Sequence, residues 1–224
     1  MPAWPAQRRD DEVWAVVAFL RVMPMLESGE YRRLSSGDLN VPSPGPEVVR
    51  SLCWRCHGVD GTGRGPGSFP SLAGQRAAYT YASLRAFKDR SRFSGIMSGV
   101  ASGLDDATMR EVARYYEGLP LRRNGAPGDS ASLARGASIV SVGSPEREIP
   151  PCAECHGQPG AQPKNPAYPR LASQHGEYLR RQLELLKERR RGGTANVSLM
   201  HAFVDRLQPG DIRDVTAYFS SLSE

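Results

Sequence analysis

The sequence is poor in cysteine and has none to spare. Its four cysteines, Cys53, Cys56, Cys152 and Cys155, fall into two C-x-x-C pairs with no residue left over. No window approaches the run of about eighteen apolar residues that a membrane-crossing helix needs. Clear period-two strand signals are missing, and so are an aromatic-basic RNA motif and zinc-finger spacing, so nucleic acid ranks low as a partner. The first residues, "MPAWPAQRRDD", contain no charged leader followed by an apolar core and a small-residue cleavage site, so they do not read as a signal peptide. Two prolines and a tryptophan among the first five residues argue against a helix starting at Met1.

What remains is ordinary for a folded chain of one or two domains. The 224 residues are 39% hydrophobic, enough for a core, and 24% charged. The formal charge is +5 and the pI about 9.2. That balance suits an acidic protein, a membrane surface or nucleic acid equally well and chooses none of them.

Each cysteine pair is followed at once by histidine, in "CWRCHG" and "CAECHG". C-x-x-C-H is the attachment signature of c-type haem. The chemistry asks for two thiols that reach two vinyl groups on one edge of a porphyrin. It also asks for an imidazole that reaches the iron from the same short helical turn. Cys53, Cys56, Cys152 and Cys155 are therefore expected to carry thioethers, and His57 and His156 to be proximal iron ligands. Three other chemistries use the same cysteines. A four-thiolate zinc ribbon leaves both histidines unexplained across a gap of nearly one hundred residues. A thioredoxin-like pair needs a βαβ setting, which is not visible. Disulfides do not call for histidine.

An internal repeat frames both motifs. Cys53 and Cys152 are 99 positions apart, and at that offset "PSLAGQRAAY" (70–79) meets "PRLASQHGEY" (169–178), Leu84 meets Leu183 and Lys88 meets Lys187. Beyond "RGGTANV" the offset becomes 103, so that Met97 meets Met200, Leu104 meets Leu207, and "DATMREVARYYEGL" meets "PGDIRDVTAYFSSL". Four extra residues there fit a surface loop. The N-terminus follows the same frame at an offset of 96: Met1 falls on Met97, Asp10 on Asp106, and Val13, Val16, Phe19 and Pro24 on Met109, Val112, Tyr115 and Pro120. It is read as a third copy of a lobe's tail, without a C-x-x-C-H half. Helical period with capping signals predicts helices at Asp10–Met23, Gln75–Lys88, Asp105–Leu119, Ser130–Val140, Glu177–Arg190 and Gly210–Leu222. Pro/Gly-rich connectors lie at 41–46 and 120–130. The expected class is all-α.

Of six methionines, Met97 and Met200 align with each other, each in an expected loop before the last helix of its repeat, and are the expected second axial ligands. Met109 aligns with Ile212 and Val13, Met23 with Leu119 and Met25 with Leu121, which marks them as packing residues. His201 follows Met200 and is its only rival, but aligns with Ser98. His175 aligns with Arg76 and reads as a solvated or capping residue.

These residues resemble class I c-type cytochromes, in particular diheme cytochromes of the c4 kind, across most of 47–224. The resemblance implies two tandem haem lobes, 41–121 and 130–224, joined by a linker at 122–129. Residues 1–40 are then a helical remnant of a third lobe, as in a truncated triheme relative. It implies a small residue where the last helix of a lobe crosses the first, a role Gly136 fits against Tyr218 and Phe219, with no clear counterpart in the first lobe. It also implies a carbonyl partner for each proximal histidine, from Pro66 or Pro70 in one lobe and from a proline between Pro159 and Pro169 in the other. Arg92 and Arg191 precede the axial methionines and are candidate partners of the haem propionates, and Tyr79 and Tyr178 are expected to pack the lobes. With propionates counted, the holo-protein loses about four positive charges. The implied cofactors are two haem c groups. The implied role is periplasmic single-electron transfer from a quinol-oxidising complex or a dehydrogenase to a terminal oxidase. The alternatives are a cytochrome subunit of a larger dehydrogenase and, more remotely, a diheme peroxidase-like enzyme. A thiosulfate-oxidising site typically uses a cysteine ligand, and there is no spare cysteine.

Overall fold

The computed structural model describes residues 9–36, 45–64, 69–122, 128–159 and 161–222. Helices dominate. The helices are α1 (Asp10–Val22), α2 (Ser28–Ser36), α3 (Trp54–His57), α4 (Ala77–Lys88), α5 (Met97–Ser102), α6 (Asp106–Glu117), α7 (Ser130–Val142), α8 (Cys152–His156), α9 (Gly176–Lys187), α10 (Val197–Val204) and α11 (Pro209–Ser221). Among the described residues the only β-type pairings are two isolated bridges, Arg64 with Phe69 and Ser144 with Ile149. The six helices expected from periodicity are all present, with ends moved by up to three residues.

The first lobe packs α4 against α5 and α6 around Val49, Leu84, Leu104, Met109, Val112 and Tyr116. The second packs α11 against α7 and α9, with one cluster around Val140, Leu179, Val215 and Phe219 and another around Ile149, Leu186, Val204 and Ile212. Local chemistry starts the helices. Asp105 and Asp129 cap α6 and α7 by accepting from the amides of Thr108 and Ser132, and Gln208 with Asp211 forms a reciprocal box at α11. Equivalent lysines close each lobe's last loop: Lys88 Nζ donates to the Leu104 carbonyl and Lys187 Nζ to that of Leu207, both at 2.5 Å.

Gly136 stands where α7 crosses α11. A Cβ there would lie 2.2 Å from the Asp214 carbonyl oxygen and 2.8 Å from Tyr218 Cβ. In the first lobe Gly45 faces the ring of Tyr115, the repeat partner of Tyr218, at 2.7 Å from such a Cβ. Gly45 gives that ring its room from a bend before the helix, against the outer end of a side chain rather than the α6 backbone, so it is not a second crossing of the Gly136 kind. It escaped notice because it precedes its helix, which runs from 47 to 57 and includes a π-helical turn at Val49–Cys53.

The two lobes meet through repeat-related bonds. Gln75 Nε2 donates to the Arg170 carbonyl at 3.0 Å, and its Oε1 accepts from the Arg170 amide at 2.8 Å. Gln174 does the same to Ser71, at 2.8 and 2.9 Å. Each glutamine reads the backbone of the other lobe, and all four groups are buried. His175 is not solvated: it stands at the N-cap position of α9, and its Nε2–H donates to the Thr62 carbonyl of the first lobe at 2.9 Å. Burial holds its pKa below the ordinary histidine value.

Met97 and Met200 do not sit in loops as expected. Met97 opens α5 and Met200 lies inside α10. Helices of six and eight residues are too short for periodicity to register. The domain boundary expected at 40/41 and most of the expected linker at 122–129 lie outside the described residues, as do Met1 and Pro66.

Replacing Gly136 by alanine is expected to force α7 away from α11 and to destabilise the second lobe by about 1–3 kcal/mol, measured by denaturant unfolding. Asp214 is buried, accepts from Arg135 Nε at 2.5 Å and from Ser132 Oγ at 2.6 Å, and is held well below the carboxylate range, chiefly by the Arg135 hydrogen bond. Its folded pKa is depressed, so its contribution is present above the ordinary carboxylate pKa and lost as pH falls through that range. Asp214→Asn should therefore lower stability at neutral pH and flatten the acid limb of the second lobe's unfolding curve.

Candidate haem cavity

A cavity of about 1630 Å³ runs through both lobes. It exceeds the roughly 300–1,000 Å³ of a single small-ligand pocket. Both C-x-x-C-H turns open onto it, as do Met97 and Met200. Each histidine ends a short helix, α3 or α8, and is followed by a glycine with positive φ, +76° at Gly58 and +88° at Gly157. That left-handed residue stops the helix immediately after the imidazole and turns the chain away. The chain then returns, and 13 residues after the histidine a proline carbonyl meets the ring: His57 Nδ1 lies 2.9 Å from Pro70 O, and His156 Nδ1 lies 2.9 Å from Pro169 O. A carbonyl can only accept, so Nδ1 carries the proton and Nε2 keeps its lone pair. Burial lowers the pKa of both rings, outweighing the carbonyl bonds, and keeps them neutral.

The cysteines behave unlike redox thiols. Burial pushes Cys53 and Cys152 up to about 11 and raises Cys56. A thioredoxin-like pair needs a lowered pKa. The two pairs sit in different lobes, and among the described residues no three His, Cys, Asp or Glu side chains converge on a metal-sized site. A four-thiolate zinc centre is not formed.

The residues present fit haem. Leu52, Phe93, Ile96 and Leu199 line the cavity with between 37% and 49% of their surface uncovered, an apolar cradle for a flat macrocycle. Arg64, also on the wall, gives Nη2–H to the Trp54 carbonyl at 3.0 Å while its buried Nη1 has no hydrogen-bond partner among the described residues. Arg92 and Arg191 are buried between the lobes. Arg92 donates to Ser83 Oγ (3.2 Å), Tyr178 OH (3.1 Å) and Gln182 Oε1 (3.1 Å). Arg191 donates to Gln182 Oε1 (2.8 Å) and Tyr79 OH (2.7 Å). The arginine of each repeat thus holds the tyrosine of the other, and both partners line the cavity. Neither arginine meets a carboxylate among the described residues. Burial raises the Tyr79 pKa, but Arg191 and Arg92 pull it down to about 8. His201 is turned to the Arg191 carbonyl, 3.3 Å from Nε2.

The family model for cytochrome c matches residues 43–119 and again 150–223. The chain belongs to the cytochrome c family. It is 33% identical to cytochrome c4 of Thiocapsa roseopersicina over 184 residues, covering 82% of this chain and 93% of that protein. It is 33% identical over 181 residues to a thiosulfate dehydrogenase electron acceptor of Stutzerimonas stutzeri, covering 80% and 83%. Its fold matches the crystal structure of reduced cytochrome c4 from Pseudomonas stutzeri with a TM-score of 0.69 at 28% identity, over 77% of this chain and 94% of that one. This cytochrome c is a c4-like diheme electron carrier with two haem c groups. No described helix is long and apolar enough to cross a membrane.

The reasoning from sequence missed Arg64, Gly45 and the paired glutamines. The glutamines were visible in principle, since Gln75 and Gln174 occupy one position of the 99-residue frame. Arg64 was not, because its repeat partner is Pro163. Gln174→Ala removes two buried interlobe bonds and is expected to cost about 2 kcal/mol and to split a single unfolding transition towards two, followed by calorimetry.

Proposed function

We propose that Cys53, Cys56 and His57 hold one haem with Met97 opposite, and that Cys152, Cys155 and His156 hold the other with Met200 opposite. The observation that carries this reading is the repeated His–proline carbonyl pair, with a neutral imidazole and a repeat-related methionine on the wall of the same cavity. Haem c supplies one-electron exchange between Fe(II) and Fe(III). The protein's part is to keep both axial positions filled, to set the potential through histidine, methionine and burial, and to exclude water. Arg92 and Arg191 supply buried cationic donors for propionates and the half-buried Arg64 a third, with Tyr79 and Tyr178 alongside. The two complete lobes extend over 41–121 and 130–224, with 1–40 as the tail of another lobe.

The setting proposed is the periplasm. Docking is transient, on a polar face near a haem edge, as suits electron-transfer complexes. The similarity to a thiosulfate dehydrogenase electron acceptor favours a dehydrogenase as donor, either free or as a larger assembly with this chain as its cytochrome subunit, and a terminal oxidase or similar complex as acceptor.

Purified holo-protein is expected to contain two haems per chain, and Cys53→Ala/Cys56→Ala or Cys152→Ala/Cys155→Ala one. The oxidised form should show the weak long-wavelength sulfur-to-iron band, halved by Met97→Ala or by Met200→Ala. Strong carbon monoxide binding by the wild type at neutral pH would contradict filled coordination. Zinc without haem would overturn the whole reading.

A further inference from the structure

Helix α1 aligns with α6 and α11 in the repeat frame but docks differently, by its acidic edge. Three acidic residues open it, Asp10, Asp11 and Glu12, where they favour the positive end of the helix dipole. The residue it buries is Glu12, at 9% exposure, whereas Val13 and Val16 remain 37% and 42% exposed although their repeat partners Met109 and Val112 are at 1% and 2%. The helix therefore does not repeat the packing of α6 or α11.

Glu12 reaches the segment that leads into Met97. Its Oε1 accepts from Ser94 Oγ at 2.7 Å and its Oε2 from the Gly95 amide at 2.7 Å. Ser94 Oγ in turn accepts from the amides of Ile96, at 3.3 Å, and Met97, at 3.0 Å. A hydroxyl has one donor and two acceptor sites, so this one is saturated. Arg9 adds a second hold, pairing with Glu12 Oε1 at 3.0 Å and donating to the Phe93 carbonyl at 2.6 Å. Asp11 ties the same turn to the second lobe through Arg181 of α9 at 3.1 Å. In the second lobe α10 is preceded by Asn196, whose side chain makes no cap hydrogen bond.

We propose that α1 is a clamp on the Met97 turn, and that Glu12 is a positioning residue that makes the first lobe's axial methionine harder to displace than that of the second. The two haems then differ in ligand lability and in potential although their C-x-x-C-H turns match. This rests on Met97 being an axial ligand.

The test uses oxidised holo-protein titrated with imidazole at fixed pH, following loss of the sulfur-to-iron band, together with a redox titration. Wild type is expected to lose the band in two phases. Glu12→Ala should raise the imidazole affinity of the more resistant phase by about tenfold, the usual scale for losing hydrogen bonds to a charged group, and lower the potential of one haem, with the other phase unchanged. Ser94→Ala removes the same link without touching α1 and should reproduce the effect, while Glu12→Gln, which keeps one acceptor oxygen, should restore part of it. Unchanged phases and potentials in both Glu12→Ala and Ser94→Ala, or equal shifts at both haems, would overturn the clamp. Absence of the band from wild type would instead remove the methionine ligation on which it rests.

Discussion

A single geometric requirement shapes both lobes: two thiols and an imidazole must present themselves from one helical turn, and the imidazole must be held by its far nitrogen. The turn is short, so the helix must stop at once. Gly58 and Gly157 stop it, each with positive φ. The far nitrogen needs an acceptor, and the chain returns after 13 residues in both lobes to offer a proline carbonyl at 2.9 Å. Proline suits the place because it carries no N–H to compete there. The apolar clusters, the close helix crossing at Gly136 and the lysine-closed loops then serve to keep a wall of the cavity opposite each histidine.

The duplicated sequence also explains how the lobes are joined. Because both lobes carry the same glutamine, arginine and tyrosine in the same frame, a near two-fold arrangement lets each group be satisfied by its counterpart's neighbours. Gln75 and Gln174 close two reciprocal backbone bridges, and Arg92 and Arg191 cross to Tyr178 and Tyr79. Buried glutamine and arginine are costly unless partnered, so the interface is demanding as well as adhesive. The glutamines are fully paired within the protein. The two arginines have only neutral oxygens as partners among the described residues.

Much of this was legible from sequence because repetition turned single residues into aligned pairs. The long helices followed from periodicity, and Met97 and Met200 were separated from four other methionines by the frame alone. Pro70 and Pro169 emerged as the histidine partners from short lists of prolines. What escaped has physical reasons. Gly45 acts from outside its helix, where no period marks it. The helices that carry Met97 and Met200 are six and eight residues long, too short for periodicity to mark them. His175 was read as a helix-end residue, since nothing local reveals that the Thr62 carbonyl of the other lobe lies within reach.

The N-terminal helix shows how far a repeat frame can be trusted. The frame correctly placed a helix at 10–22, because acidic start, apolar spacing and length are local properties. It carried no information about orientation, which contacts with the rest of the molecule decide. Val13 stays 37% exposed, and the contacts that hold α1 are polar: the hydroxyl of buried Ser94 and the Gly95 amide ahead of Met97, and Arg181 on α9. A charged carboxylate satisfies two such donors at once and is more strongly bound than a neutral acceptor. The orientation of α1 follows from that, and so does the asymmetry of the two haem lobes. Two nearly identical C-x-x-C-H turns acquire different surroundings through one glutamate on α1.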